Sequence, residues 1–256
     1  MVNYLLKKSY QLRDLKEIEF KDLWGDHGVF TTMWIFGNPP KILFFKEHIN
    51  NLIKSTKAYS ISKPSIKLDI LRLLKENLNS KKKYNHLLRI ALNKKTLSIS
   101  LRKRIKPNLD FNLKLVNLKR QKPKFKNLKY KEILKHLSKL DNSKSDIGLC
   151  SNKKIFETGT SNIFFVKDNK VFSPIDKFYK GITYKFFKSK IKKIIKKDIL
   201  VNSLKEYDEI ILIGSGKGVA SVKTINQINW KRKSFKIYNE LLKHYKSTIN
   251  KCSKFK

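Results

Sequence analysis

Strands interleaved with helices, several of the strands in hairpins, predict an α+β (mixed α/β) chain rather than a doubly wound parallel sheet. Two strand pairs carry this expectation: "GVFTTMWIF" with "PPKILFF" across the turn "GNPP", and "HLLRIALN" with "LSISLRKRI". The third observation is helical spacing between them, where Ile49, Leu52 and Ile53 fall on one face of "KEHINNLIKSTKAYS". With 256 residues and 40% hydrophobic content, the chain has enough material to bury a real core.

The first strand pair is rich in aromatic and branched side chains, and Asn38-Pro39-Pro40 interrupts it. "KLDILRLLKENLN" repeats the helical pattern of the segment before it, and "KPNLD" at residues 106–110 reads as a linker. The expected division is therefore a smaller N-terminal α/β domain over 1–105 and a larger domain over 111–256. In the larger part "FNLKLVNL" alternates as a strand and "YKEILKHLSKLDN" is amphipathic. A strand ending at Glu157 precedes a hairpin that turns at Asp168 and Asn169, a pair that tolerates the positive φ such turns need. "ITYKFFKSKIKKIIKK" predicts a long surface helix, with Phe187, Ile191, Ile194 and Ile195 on one face and lysines on the other. "DEIILIGSGKGVASV" reads as a strand entering a glycine-rich turn.

The formal net charge of +39 suggests polyanion binding. Only seven of the 59 basic residues are Arg, however, and the lysines are spread along the whole chain rather than gathered in a tract. That spread favours a general lysine bias, with nonspecific polyanion binding at low salt, over a designed nucleic-acid groove. Cys150 and Cys252 lie far apart without ligand spacing, and the five histidines are scattered, so no metal site is expected. No apolar run approaches the roughly 18 residues of a spanning helix. "MVNYLLKKSYQ" is too short and polar for a signal peptide, and a soluble cytoplasmic protein is expected.

Two stretches could receive an anion. In "IGSGKGV" three glycines follow an apolar strand and leave backbone N–H groups accessible. It is not a P-loop, because Lys217 is followed by Gly218 where Ser or Thr would bind magnesium. In "YKGITYKFF" Gly181 permits a turn and Thr183 offers a hydroxyl and an N–H, although by itself Thr183 is better explained as an ordinary N-cap.

These blocks, taken with their order and spacing, resemble the class IV pyridoxal-phosphate aminotransferases, of fold type IV. The resemblance rests on "GVFTT", "FKEHINNL", "ETGTSNIFF", "GIT" and "IGSGKGV", and it spans about Trp24 to Trp230. It implies two domains with the cofactor, pyridoxal 5'-phosphate, in the cleft between them. It also implies a small-molecule substrate and a homodimer. Glu157 would pair with the pyridine nitrogen of the cofactor, while Ile182 and Thr183 on one side and Gly214 and Ser215 on the other would hold its phosphate. The lysine that bonds to the cofactor would be Lys129, six residues after Pro123 in "KPKFKNLKYKEIL", with Lys126 and Lys131 as competitors. Two departures stand out: Asn51 replaces an arginine that usually grips the phosphate, and Tyr184 replaces the basic residue of "GITR".

Within the family, threonine at position 32 and the proline-to-lysine spacing resemble 4-amino-4-deoxychorismate lyases, in which Thr32 would help deliver a proton to the departing enolpyruvyl group. The alternatives are a branched-chain or D-amino-acid aminotransferase on the same site, and a noncatalytic nucleic-acid-binding protein on a decayed scaffold.

Overall fold

The computed structural model describes residues 4–255. The chain forms two compact units. The first comprises the chain up to Arg104, Phe125–Lys131 and the segment from Lys251; the second comprises Ile105–Lys124 and Glu132–Asn250. The chain thus leaves the first unit beside the 106–110 segment and later returns to it twice, and no composition shift in the sequence marks the returns.

In the first unit the strands are β1 (Tyr4–Gln11), β2 (Glu17–Ile18), β3 (Gly28–Gly37), β4 (Lys41–Ile42), β5 (Tyr84–Asn93) and β6 (Thr96–Lys103). They form one sheet in the order β2-β1-β6-β5-β3-β4, with every pairing antiparallel. The helices α1 (Phe45–Ala58) and α2 (Ile66–Asn77) lie between β4 and β5 in sequence, as the periodicity predicts. Strand alternation separates two faces of β3. Val29, Met33 and Ile35 join Ile49, Leu52 and Ile70 in the core, and Phe30, Thr32 and Trp34 point the opposite way. The β5–β6 turn is short because the Asn93 side-chain carbonyl accepts from the backbone N–H groups of Lys95 and Thr96, at 2.9 and 2.7 Å.

The second unit contains β7 (Phe111–Asn117), β8 (Ser145–Ser151), β9 (Lys154–Thr158), β10 (Asn162–Lys167), β11 (Lys170–Ser173), β12 (Ile194–Lys196), β13 (Glu209–Gly214), β14 (Gly218–Ile225) and β15 (Trp230–Lys231). Its sheet runs β12-β11-β10-β13-β14-β7-β8-β9, with β15 on β14, and mixes parallel and antiparallel pairings. The helix α3 (Lys131–Leu137) precedes β8, α4 (Ile182–Lys188) follows β11, and α5 (Lys236–Asn250) closes the unit. The central strands are buried on both faces, which is why "NIFFV" and "IILI" read as continuous apolar runs. Ile163 and Phe165 join the core cluster with Trp230, and Phe164 turns instead to Tyr184, with ring centroids 5.5 Å apart. The buried Glu209 accepts from the N–H groups of Ile237 and Tyr238, at 2.9 and 2.8 Å, and so satisfies the first turn of α5.

Two expectations about elements are corrected. The long helix over 182–197 does not form: α4 ends at Lys188, and Ile194–Lys196 becomes a strand parallel to β11. The Ser189 hydroxyl donates to the Phe186 carbonyl at 2.7 Å, a local bond that competes with helix continuation, and the branched Ile194 and Ile195 pair with Val171 and Phe172. The helix beginning near Tyr130 is shorter than its pattern, because Asp141 accepts from the Ser143 backbone and side chain and closes a turn. The hairpin turn is as read, with φ of 51° at Asp168 and 59° at Asn169. Among the described residues no helix is long and apolar enough to cross a membrane.

Candidate active site

Glu157 stands near the end of β9, opposite Leu149 of β8, and only 3% of it is exposed. Arg120, also buried, donates from Nε to Glu157 Oε1 at 2.8 Å. The Leu118 N–H bonds the Cys150 carbonyl at 2.9 Å and holds the chain after β7 against β8, two residues before Arg120. The Arg120–Glu157 contact is a short hydrogen bond between side chains of opposite charge. Sequence reasoning missed Arg120; the signal it left is that it is one of only seven arginines in a chain rich in lysine.

The loop after Glu157 is fixed by a second buried carboxylate. Asp146 of β8, with no exposed surface, accepts at Oδ2 from the hydroxyls of Thr158 and Thr160, both at 2.8 Å. Its Oδ1 accepts from the Ile147 N–H at 2.8 Å, and Lys217 Nζ lies 3.5 Å from Oδ2. Lys217 belongs to the glycine turn between β13 and β14, and its ammonium stands 4.9 Å from the Phe111 ring centroid. Thr158 also accepts from the Ser161 N–H at 2.9 Å, which tightens the small-residue loop on itself.

Ser161 and Asn162 connect that loop to the two expected anion sites. A side chain at Gly214 would place its Cβ 3.0 Å from Ser161 Oγ, so the loop and the glycine turn pack closely at a position without a side chain. The Gly181 N–H donates to Asn162 Oδ1 at 3.0 Å, and a Cβ at Gly181 would approach the same oxygen to 2.9 Å. Thr183, 1% exposed, has its Oγ1 3.5 Å from Ser215 Oγ. The second unit thus carries Glu157, Ile182, Thr183, Gly214 and Ser215, with Thr183 beside Ser215 and the loop after Glu157 against Gly214. Tyr184, in place of a basic residue, is served by Lys196, which bonds both the Tyr184 hydroxyl and Ser173 Oγ.

Lys129 and Thr32 are in the first unit. Residues 126–128 run beside the start of β3, with Phe30 N–H to Lys126 O and Leu128 N–H to Gly28 O both at 2.9 Å. The exposed Lys129 donates from Nζ to the Gly25 carbonyl at 2.6 Å. Of its competitors, Lys126 stands 5.1 Å from the Phe30 ring centroid and Lys131 packs against Gly25. Thr32 is half-buried and paired across strands with Arg89, whose guanidinium bonds the Asp22 carboxylate and lies 4.3 Å from the Trp24 ring centroid. Trp24 in turn stacks on Tyr130, with centroids 5.4 Å apart. On the core face of β3, Thr31 Oγ1 and His48 Nδ1 share a hydrogen bond of 2.7 Å. Burial, aided by the charge of Lys126, pushes the His48 imidazole down to about 3. Asn51 follows one turn later on α1.

The donor set suits a phosphorylated pyridine: hydroxyls of Thr183 and Ser215 beside a glycine turn offer donors to a phosphate, and a buried carboxylate offers an acceptor to a protonated ring nitrogen. Comparison with known proteins agrees. The profile of the family described as amino-transferase class IV matches residues 28–225. No curated protein matches the chain significantly. Among solved structures, a branched-chain aminotransferase from Thermoproteus uzoniensis with norvaline superposes with a TM-score of 0.77 at 15% identity, covering 97% of this chain and 96% of that one. The branched-chain amino acid aminotransferase of Thermobaculum terrenum in its PLP form gives 0.75 at 14% identity, with 94% and 93% covered. A candidate 4-amino-4-deoxychorismate lyase from Legionella pneumophila gives 0.69 at 17% identity, with 87% and 91% covered. A profile match over most of the sequence, on this fold, makes the chain a member of the class IV aminotransferase family, an enzyme that depends on pyridoxal phosphate.

Proposed function

We propose that the chain is a 4-amino-4-deoxychorismate lyase, releasing pyruvate and leaving 4-aminobenzoate. The observation that carries this reading is Thr32, half-buried on the face of β3 that points away from the hydrophobic core. A hydroxyl there suits proton delivery to a departing enolpyruvyl group, as the resemblance implies for this position. Bound pyridoxal phosphate would supply a ring that withdraws electrons from the reacting carbon. The protein's part is then to hold that ring and move protons. Glu157, braced by Arg120, takes the ring nitrogen; Ile182, Thr183, Gly214 and Ser215 take the phosphate. Lys129 would be the amine that holds the cofactor and, once released, the base positioned to take the ring proton of the substrate. The positive charge of the chain draws a dianionic substrate.

The decisive assay is pyruvate release from aminodeoxychorismate without any keto-acid acceptor. Transamination of leucine or of a D-amino acid, with no pyruvate released, would establish the aminotransferase alternative, which the branched-chain structures sharing this fold keep in view. Lys129→Ala is expected to abolish the visible absorbance of bound cofactor and to lower pyruvate formation by more than about a thousandfold. Normal absorbance in that variant would remove Lys129 from its role.

A further inference from the structure

Asp146 is a buried charge that the roles above leave unused. A carboxylate with no exposed surface is expensive to maintain unless its partners need a fixed geometry. Here they come from three places: Thr158 and Thr160 from the loop that follows Glu157, Lys217 from the glycine turn, and the Ile147 backbone of β8. The threonines hold the loop directly after the carboxylate that takes the ring nitrogen. Lys217 sits two residues after Ser215, in the turn that takes the phosphate. Ring nitrogen and phosphate are joined covalently in the cofactor, so the two grips must stand at one fixed spacing to be used together.

We propose that the Asp146–Lys217 pair is a positioning device that sets the spacing between the Glu157 loop and the phosphate-binding turn. The proposal rests on the cofactor reading above. In this proposal Asp146 and Lys217 act through their neighbours, as positioning residues. If the pair breaks, the turn keeps its packing of Gly214 against Ser161 but loses its charged tether to the loop, and the loss falls on ligands that span both grips.

The test is titration of the apoprotein with pyridoxal phosphate and with pyridoxal, which lacks the phosphate, using Lys217→Met, Asp146→Asn and the double variant. Asp146→Asn removes the charge that Lys217 meets and keeps one acceptor oxygen for the threonine hydroxyls, at the cost of the Ile147 N–H bond, so Lys217→Met, which leaves all three bonds in place, is the cleaner variant. Each single variant is expected to raise the Kd for pyridoxal phosphate by roughly tenfold and to leave that for pyridoxal within about twofold. The double variant should be no weaker than the singles, because both act through one contact. Equal losses for the two ligands, or additive losses in the double variant, would overturn the proposal, as would unchanged affinity for pyridoxal phosphate. Wild-type protein that binds neither ligand would instead refute the cofactor roles on which it rests.

Discussion

Glu157 in the second unit and Lys129 in the first are the two residues proposed above to hold the cofactor, and their surroundings are opposite. Glu157 is 3% exposed, lies in a sheet and is braced by a buried arginine at 2.8 Å. Lys129 is exposed, lies on an irregular segment beside β3 and bonds only a backbone carbonyl in the described contacts of its side chain. The difference is compatible with the roles proposed for the two groups. A carboxylate that keeps one proton on a ring nitrogen never leaves its post, so burial and a rigid brace are compatible with its work. An amine that must release its bond and then collect a proton needs room to swing, and a long side chain in open surroundings has it.

Substitutions at the two positions should separate these roles. The largest effect on stability is expected for Glu157→Ala, which removes the carboxylate partner of the buried Arg120 guanidinium and should lower unfolding free energy by about 3–5 kcal/mol in urea denaturation. A loss below about 1 kcal/mol would mean that the pair is not buried in solution as it is here. A second expectation concerns His48, whose folded pKa of about 3 lies below its ordinary 6.5. Above pH 6.5 its neutral form contributes full stability; below it the unfolded chain takes up a proton that the folded chain refuses. Stability then falls by about 1.4 kcal/mol per pH unit, or about 2 kcal/mol between pH 7 and 5. His48→Gln should lack that component, and parallel pH profiles for the two proteins would refute it. The smallest effect is expected for Lys129→Ala, within about 0.5 kcal/mol of the wild type, because little packing is lost at an exposed position. A variant that loses cofactor absorbance at unchanged stability would sharpen the contrast; one that unfolds would erase it.

What was legible in the sequence had a local cause. Apolar alternation and helical spacing marked β3, α1, α2, β5 and β6, and the motif blocks marked Glu157, Thr183, Gly214 and Ser215 as candidates together. The segment 182–197 was misread for an equally local reason. A lysine-rich stretch with isoleucines fits a helix face, and only the presence of β11 makes a strand at Ile194–Lys196 the better use of the same residues.

The residues that brace the candidate site left almost no trace in the chain. Arg120 lies 37 positions from Glu157, and Lys217 lies 71 positions from Asp146. Local pattern records which face of a strand or helix is apolar, because that depends on neighbours three or four residues away. It does not record which distant charge meets which, because that depends on the order of strands in a sheet. The amino-acid sequence by itself therefore determined the element types, the excess of charge and the motif residues of this enzyme. The tertiary structure alone decided that Glu157 rests on Arg120 and that one carboxylate, Asp146, joins the loop behind it to the glycine turn, since a buried ionic group acquires its partners only when the sheet has closed around it.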